Sequence, residues 1–263
     1  MKKSGSIGNK VIPVTFLLVL LAIWQLVVDA GMVQRFILPS PTDVLKTAVN
    51  IAPKIKNDIM VTLYEALAGF LISIIFSMVL AILMDSFKLL YKAVYPLLIV
   101  SQTIPVIALA PLFVLWFGFG ALPKIIVVVL VCFFPIVVSL LDGLGSTDTD
   151  LLNLMKSMGA GRLQIFRLVK FPAAMVNFFS GVRIAATYSI MGAVIGEWLG
   201  GSEGLGLLMI NAKRSFLVDR VFAEVLIIVI LSMLLFKLIS ILQYIFMPWN
   251  RNMDRKQGGN QIV

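Results

Sequence analysis

The chain has no histidine and only one cysteine, Cys132, in 263 residues. A transition-metal centre built from the usual His and Cys ligands is therefore not expected. Cys132 lies inside an apolar run, so disulfides play no organising role and the redox compartment stays open. No Ser–His or Cys–His pair exists for nucleophilic catalysis, and no serine and lysine stand at a spacing that suggests the alternative base. The phosphate-binding pattern GxxxxGK[ST] is also missing. If nucleotide chemistry powers the protein, a second polypeptide performs it. Charge is scarce too. Charged residues make up 13% of the chain, against about 25% in soluble domains. What is present instead is apolar: 60% of residues are hydrophobic and the mean hydropathy is +1.03. A water-soluble fold has nowhere to hide that surface, so an all-α polytopic membrane protein is expected. The net charge of +9 then reflects topology and anionic lipid heads rather than nucleic acid.

About 20 apolar residues cross the hydrocarbon core as a helix. Six runs qualify: Val11–Val28, Ala66–Met84, Val94–Phe117, Ile125–Leu141, Val176–Leu199 and Val221–Phe246. The third holds Pro96, Pro105 and Pro111 and is expected to bend at its prolines. The fifth is the weakest by hydropathy, with Arg183 and Glu197 near its ends. Lys2, Lys3 and Lys10 before the first run resemble a secretory signal. The run is long for a signal core, however, and Val28-Asp29-Ala30 is not a small-x-small cleavage site. An uncleaved first span is expected.

Cation counting orients the spans. With the N-terminus inside, the cytoplasmic segments carry twelve cations: Lys2, Lys3, Lys10, Lys88, Lys92, Lys156, Arg162, Arg167, Lys170, Arg251, Arg255 and Lys256. The external segments carry eight: Arg35, Lys46, Lys54, Lys56, Lys124, Lys213, Arg214 and Arg220. Arg183 and Lys237 fall within spans. The excess favours cytoplasmic N- and C-termini. The chain divides into a cytoplasmic N-terminus at 1–10, a transmembrane domain at 11–250 with a cytoplasmic loop at 142–172, and a cytoplasmic tail at 251–263.

The most informative stretch is Leu152–Pro172, a basic interruption holding Lys156, Arg162, Arg167 and Lys170 and no acid. Two short helical patterns flank Gly159-Ala160-Gly161, where Gly159 or Gly161 permits a sharp turn. Leu151, Leu154, Met155 and Met158 recur at helical spacing and form one apolar face, suited to a groove on a partner. Pro172 marks an expected helix boundary before the fifth span.

These residues carry a resemblance. Lys156-Ser157-Met158-Gly159-Ala160, then Phe166, then Pro172 thirteen residues after Gly159, resembles the cytoplasmic loop signature of binding-protein-dependent ABC importer permeases of type I. That signature runs Glu-Ala-Ala, three residues, Gly, and ends in Leu-Pro. Here Asn153-Leu154-Met155 replaces Glu-Ala-Ala, and Phe171 precedes Pro172. Further likeness lies in Ile37-Leu38-Pro39-Ser40-Pro41, in Ala110-Pro111-Leu112-Phe113, and in Gly196-Glu197-Trp198-Leu199-Gly200 followed by Gly204-Leu205-Gly206. Together they resemble the branch that serves nitrate, sulfonates, taurine and thiamine precursors.

The resemblance implies a permease subunit in the inner membrane of a bacterial-type cell. Its coupling helix would seat in separate ATPases through Asn153, Lys156, Ser157, Gly159, Ala160, Gly161, Arg162, Phe166 and Pro172. It implies two ATPase subunits holding ATP and Mg, a second permease copy, an extracytoplasmic substrate-binding protein, and no cofactor on this chain. The substrate it suggests is a thiamine-precursor pyrimidine or a sulfonate, with nitrate or taurine as the alternative. For a translocation path, Gln102, Thr103 and Pro105 in the third span and Thr187, Tyr188, Ser189 and Glu197 in the fifth are the candidates. For Glu197 and Glu224 an ion pair with Lys213 or Arg214 and contact with substrate or binding protein are equally open, while Glu65 suits the external interface and Lys237 snorkelling. An ion-gradient-driven secondary transporter would call for inverted repeats, and no half-to-half repeat is visible. A membrane enzyme or receptor is disfavoured by the missing catalytic set.

Overall fold

A computed structural model of the chain describes residues 4–248, with side chains from Val11 onward. The expected tail at 251–263 and the cations Lys2, Lys3, Lys10, Arg251, Arg255 and Lys256 fall outside the described side chains. Eleven α-helices follow one another, with no strand among the described residues: α1 (Ser4–Asp29), α2 (Pro41–Ile51), α3 (Lys56–Ser86), α4 (Lys88–Ser101), α5 (Val106–Phe117), α6 (Ala121–Gly145), α7 (Thr149–Ser157), α8 (Arg162–Ile165), α9 (Phe171–Gly200), α10 (Leu205–Arg214) and α11 (Val218–Phe246). A π-helical stretch, Phe166–Lys170, joins α8 to α9.

The core is a three-helix sandwich of α3, α6 and α9. Contacts between α6 and α9 step in opposite senses along the chain: Gly143 lies against Ala174, Gly181 against Pro135 and Ser139, and Gly192 against Val128. Cys132 Sγ donates to Ala185 O across the middle of this interface (3.3 Å). The pair is antiparallel and close, because small residues let backbones approach in lipid. A Cβ on Gly181 would lie 2.5 Å from Pro135 O. Between α3 and α6 the sense is the same on both helices. Ser73 Oγ donates to Val129 O and Ser77 Oγ to Phe133 O, each at 3.1 Å. These two helices are therefore parallel.

That parallel register decides the span count. Five helices are long and apolar enough to cross alone, and α4 and α5 form a sixth candidate only as a pair bent by 101°. Since α3 and α6 begin at the same side, the chain between them must return across the layer, so α4 and α5 cross it together. Six crossings result, as expected, but the bend is not spread over the prolines. Pro96 and Pro111 sit inside α4 and α5. The break falls at 102–105, ahead of Pro105, which has no N–H to extend the ladder; Leu98 O and Val100 O, already bonded by the Gln102 and Thr103 N–H groups (3.2 and 3.0 Å), accept side-chain hydroxyls as well. Ser101 Oγ donates to Leu98 O (2.8 Å) and Thr103 Oγ1 to Val100 O (2.7 Å).

Two further expectations change. The fifth span, weakest by hydropathy, is the most thoroughly covered by protein; its small and polar residues lower the hydropathy because they face neighbouring helices rather than lipid. Pro172 stands in the first turn of α9, at the expected boundary, but the helical path does not break there. The helical path runs from Arg162 to Gly200, and the π-helical stretch ahead of Pro172 accommodates its missing N–H. There the Phe171 N–H reaches back five residues to Phe166 O.

Candidate coupling and translocation sites

At one end of the bundle, α6 leads through Ser146–Asp148 into α7. Asp148 caps α7, its Oδ1 accepting from Asp150 N (2.8 Å). Gly159 closes α7 with φ of 81°. The Gly159 N–H donates to Lys156 O (2.9 Å) and the Ala160 N–H to Met155 O (3.0 Å), the paired bonds of a Schellman ending. Of the two glycines offered by the sequence, Gly159 takes the turn. Gly161 has an ordinary φ of −70°, and its N–H donates to Gln164 Oε1 (2.8 Å).

No residue of α7 is buried. Leu151, Leu154 and Met158 stand exposed, with Met158 at 75%, and Asn153, Lys156, Ser157, Arg162 and Arg167 are exposed beside them. Ser157 Oγ donates to Asn153 O (3.0 Å). Phe166 departs from the group: it packs partly buried on the main core and lies 5.8 Å from the Phe171 ring. It anchors the loop instead of projecting from it. Lys170 is committed as well, its Nζ 2.5 Å from Asp85 Oδ1 at the end of α3. These two residues fix the helix-turn-helix to the ends of α3 and α9 on this side of the bundle, leaving the α7 surface without a partner within the chain.

At the opposite end, the start of α10 is tied into the core by a buried polar node. Lys124 Nζ of α6 lies 2.6 Å from Glu65 Oε1 of α3. Thr62 Oγ1 donates to Glu197 Oε1 (2.6 Å), and the Gly206 N–H donates to Glu197 Oε2 (2.6 Å). The Leu205 N–H donates to Thr62 Oγ1 (3.0 Å) and the Gly204 N–H to Asp58 Oδ1 (3.0 Å). A carboxylate thus faces the N-terminus of α10, where free N–H groups and the helix dipole favour it. Gly204 has φ of 116°, and a Cβ there would collide with the Glu197 carboxylate.

This node corrects several assignments. Lys124 is not in an external segment but buried within α6. Glu65 is internal, paired with Lys124. Glu197 pairs with neither Lys213 nor Arg214. Glu224 pairs with Arg220 one turn away (3.1 Å). Of the path candidates, Glu197 and Ser189 lie within the packing, with Ser189 Oγ donating to Ala186 O (2.9 Å). Gln102, Thr103 and Pro105 are exposed at the α4–α5 break, and Tyr188 is half-exposed on α9 beside Thr187. Thr187 Oγ1 is turned back to Ile184 O (2.7 Å). The Glu65–Lys124 pair was the feature sequence reasoning missed. Its only signal was two opposite charges at equivalent depths of two apolar runs, which becomes a pair only once α3 and α6 are known to be parallel.

Comparison with known proteins agrees with this architecture. Residues 50–252 match the family model described as the binding-protein-dependent transport system inner membrane component. A probable ABC transporter permease protein of Haemophilus influenzae is 40% identical over 224 residues, covering 85% of this chain and 91% of that protein. The formylaminopyrimidine transport permease protein ThiX of Halalkalibacterium halodurans is 39% identical over 241 residues, covering 91% of this chain and 96% of that one. A putative aliphatic sulfonates transport permease protein, SsuC of Bacillus subtilis, is 27% identical over 238 residues, 90% of this chain and 86% of that protein. Among solved structures, a chain of the inward-facing MetNI methionine ABC transporter superposes with a TM-score of 0.62 at 18% identity, over 72% of this chain and 94% of that one; this likeness speaks for the fold alone. The bundle of apolar crossings, the exposed helix-turn-helix at one end and the family match over residues 50–252 agree, and the chain belongs to the binding-protein-dependent inner-membrane components, the permease subunits of ABC importers.

Proposed function

We propose that the α7–α8 loop docks on a separate ATPase at the cytoplasmic face, and that two copies of this chain with two ATPases form an importer for a thiamine-precursor pyrimidine. The carrying observation is α7. It is a capped helix with an apolar row and no buried residue, held to the ends of α3 and α9 by the Lys170–Asp85 pair. Motion imposed on α7 passes directly to the two core helices. ATP and Mg belong to the partner subunits, since this chain has no phosphate loop. The excess of cations on the α7 side supports cytoplasmic termini, with an extracytoplasmic binding protein meeting the opposite face.

The second copy is supported by the α4–α5 break. Backbone interrupted at membrane depth needs protein or a water-lined cavity around it, yet Gln102–Pro105 are uncovered in the single chain. A path at the interface between copies, bordered by Gln102, Thr103, Pro105, Thr187 and Tyr188, satisfies that need. Likeness to a formylaminopyrimidine permease over nearly the whole chain supports the pyrimidine. The weaker likeness to a sulfonate permease makes a sulfonate the second reading, with nitrate or taurine behind it.

The test is reconstitution with the candidate ATPase and binding protein. Substrate-loaded binding protein should stimulate ATP hydrolysis and drive uptake of the pyrimidine. Gly159→Pro, which cannot adopt a positive φ, should abolish ATPase co-purification. Full ATPase binding and full uptake in that variant would refute the role of α7. Uptake driven by an ion gradient without any ATPase would refute the importer reading.

A further inference from the structure

The face that α11 turns away from the bundle is apolar except at one place. Val229, Ile230, Met233 and Leu234 line a shallow hollow of about 550 Å³ on that face, within the size range of small-molecule sites, about 300–1,000 Å³. At one end the same hollow is lined by Lys237 and Ser240. Leu235 and Ile239 are buried in the main core, so Lys237 between them stands on the opposite side of the helix at bundle depth. It is exposed and has no ion-pair partner among the described residues. A cation within a membrane span is costly unless it meets an anion or reaches water. Lys237 precedes Phe246, the last residue of α11, by nine residues, about 13–14 Å along the axis. Its stem carries the ammonium only part of that way, so a group must come to meet it.

The order of the residues along the hollow says what that group is. The helix starts at the α10 end, where Ile227 packs with Leu205, and runs toward the α7 end. Lys237 and Ser240 therefore lie nearer the membrane surface on the α7 side, and Met233, Ile230 and Val229 nearer the midplane. A phospholipid beside the helix has the same polarity, with its head toward the surface and its chains toward the middle. We infer that this face of α11 holds an anionic phospholipid of the leaflet on the α7 side, its phosphate against Lys237 and an acyl chain in the hollow over Met233, Ile230 and Val229. Ser240 Oγ donates to Phe236 O (2.9 Å) and keeps lone pairs free to accept from a headgroup hydroxyl, such as those of phosphatidylglycerol.

Charge disfavours the other occupants. Residues 249–263 carry Arg251, Arg255 and Lys256 against the single acid Asp254, so the tail offers no net anion. A second copy packed face to face on this hollow would bring two Lys237 ammonium groups together. The acids inside the bundle are engaged already: Glu65 by Lys124, Asp85 by Lys170 and Glu224 by Arg220, and Glu197 by Thr62 and the Gly206 N–H. Asp142 is exposed, but in the last turn of α6.

The experiment is native mass spectrometry of the purified full-length protein, offered phosphatidylglycerol and phosphatidylcholine in equal amounts. The wild type should retain phosphatidylglycerol in preference. Lys237→Met should weaken that preference about fivefold, the loss expected for one basic residue at an anionic surface, and Lys237→Arg should keep it. Val229→Trp, which fills the hollow without changing charge, should release the same lipid. Equal preference in wild type and Lys237→Met would overturn the inference. A wild type that does not discriminate between the two lipids would overturn it whatever the variants do. Met233→Cys supplies the rival outcome: efficient disulfide cross-linking between chains in native membranes would give this face to a second copy instead, and its absence is expected. No ATPase or substrate enters these readouts, so failure here is separable from failure of the transport reading.

Discussion

At the scale of residues, ion pairs differ in weight with their surroundings. Lys124 and Glu65 meet inside the core, so Lys124→Met strands a carboxylate and should cost about 3–5 kcal/mol. Arg35 approaches Asp29 and Asp43 with its side chain 65% exposed, and Arg35→Met should cost less than about 1 kcal/mol. Thermal unfolding of the two purified variants separates these outcomes. Glycines divide in the same way. Gly31 has φ of 72° and open space around it, so Gly31→Ala should lose only the backbone preference, about 1–2 kcal/mol. Gly204→Ala adds a collision with the Glu197 carboxylate and should lose about 3 kcal/mol or more. The sequence showed Gly204 as part of a Gly-Leu-Gly pattern, and Glu197 as an intramembrane acid, but not that each exists for the other. Their meeting depends on the chain reversal between α9 and α10, which no spacing encodes.

At the scale of elements, the outcome followed the strength of the local signal. The apolar runs located all six crossings, and the Gly159 turn and the α7 apolar row were legible because both arise from neighbours in sequence. Helix ends were not. The α3 helix begins at Lys56, ten residues before the apolar run first proposed at Ala66, because Glu65 and Thr62 are satisfied by partners from other helices. Pro172 marks the start of α9 without breaking the helical path, because its missing N–H is absorbed by the π-helical stretch before it. That stretch also sets the phase of the loop, since one inserted residue turns a helix by about 100°. Pro172→Ala restores the donor and allows a regular ladder, which would rotate α8 against α9. Stability of the isolated chain should change by less than about 1 kcal/mol, since Pro is well tolerated in the first turn. Uptake per ATP hydrolysed should fall in the reconstituted importer. Unchanged coupling would show that the phase of this segment is irrelevant.

At the scale of the whole molecule, orientation is open to a clean test. Cys132 is buried and bonded to Ala185 O, so the chain provides a quiet thiol background. Asp150→Cys in α7 should react with an impermeant maleimide only from the cytoplasmic side, and Lys54→Cys only from outside. The reverse pattern would invert the proposed topology and remove α7 from the reach of ATP. Composition alone was enough to show a membrane protein. The cation excess suggested its orientation, yet two of the cations it relied on, Lys124 and Lys170, answer to partners inside the fold. The uncovered break between α4 and α5, which bears on the second copy, had its counterpart in the sequence in Pro105 and the polar Gln102 and Thr103 beside it.

One helix stands apart from this architecture. Apart from the last turns, the described side chains of α1, from Val11 onward, are almost wholly uncovered within the chain; in those turns Trp24 meets Phe222 and Gln25 Oε1 accepts from the Thr42 N–H. The family match begins only at residue 50. Within the chain, few contacts hold α1 in place. Its apolar stretch Val11–Asp29 is 19 residues long, about 28 Å as a helix, close to the thickness of a typical hydrocarbon core. The helix therefore behaves as an interchangeable mooring. A different hydrophobic anchor of equal length, spliced in ahead of α2, should leave the transport core intact, whereas a shortened one should tilt or strain only this edge of the molecule.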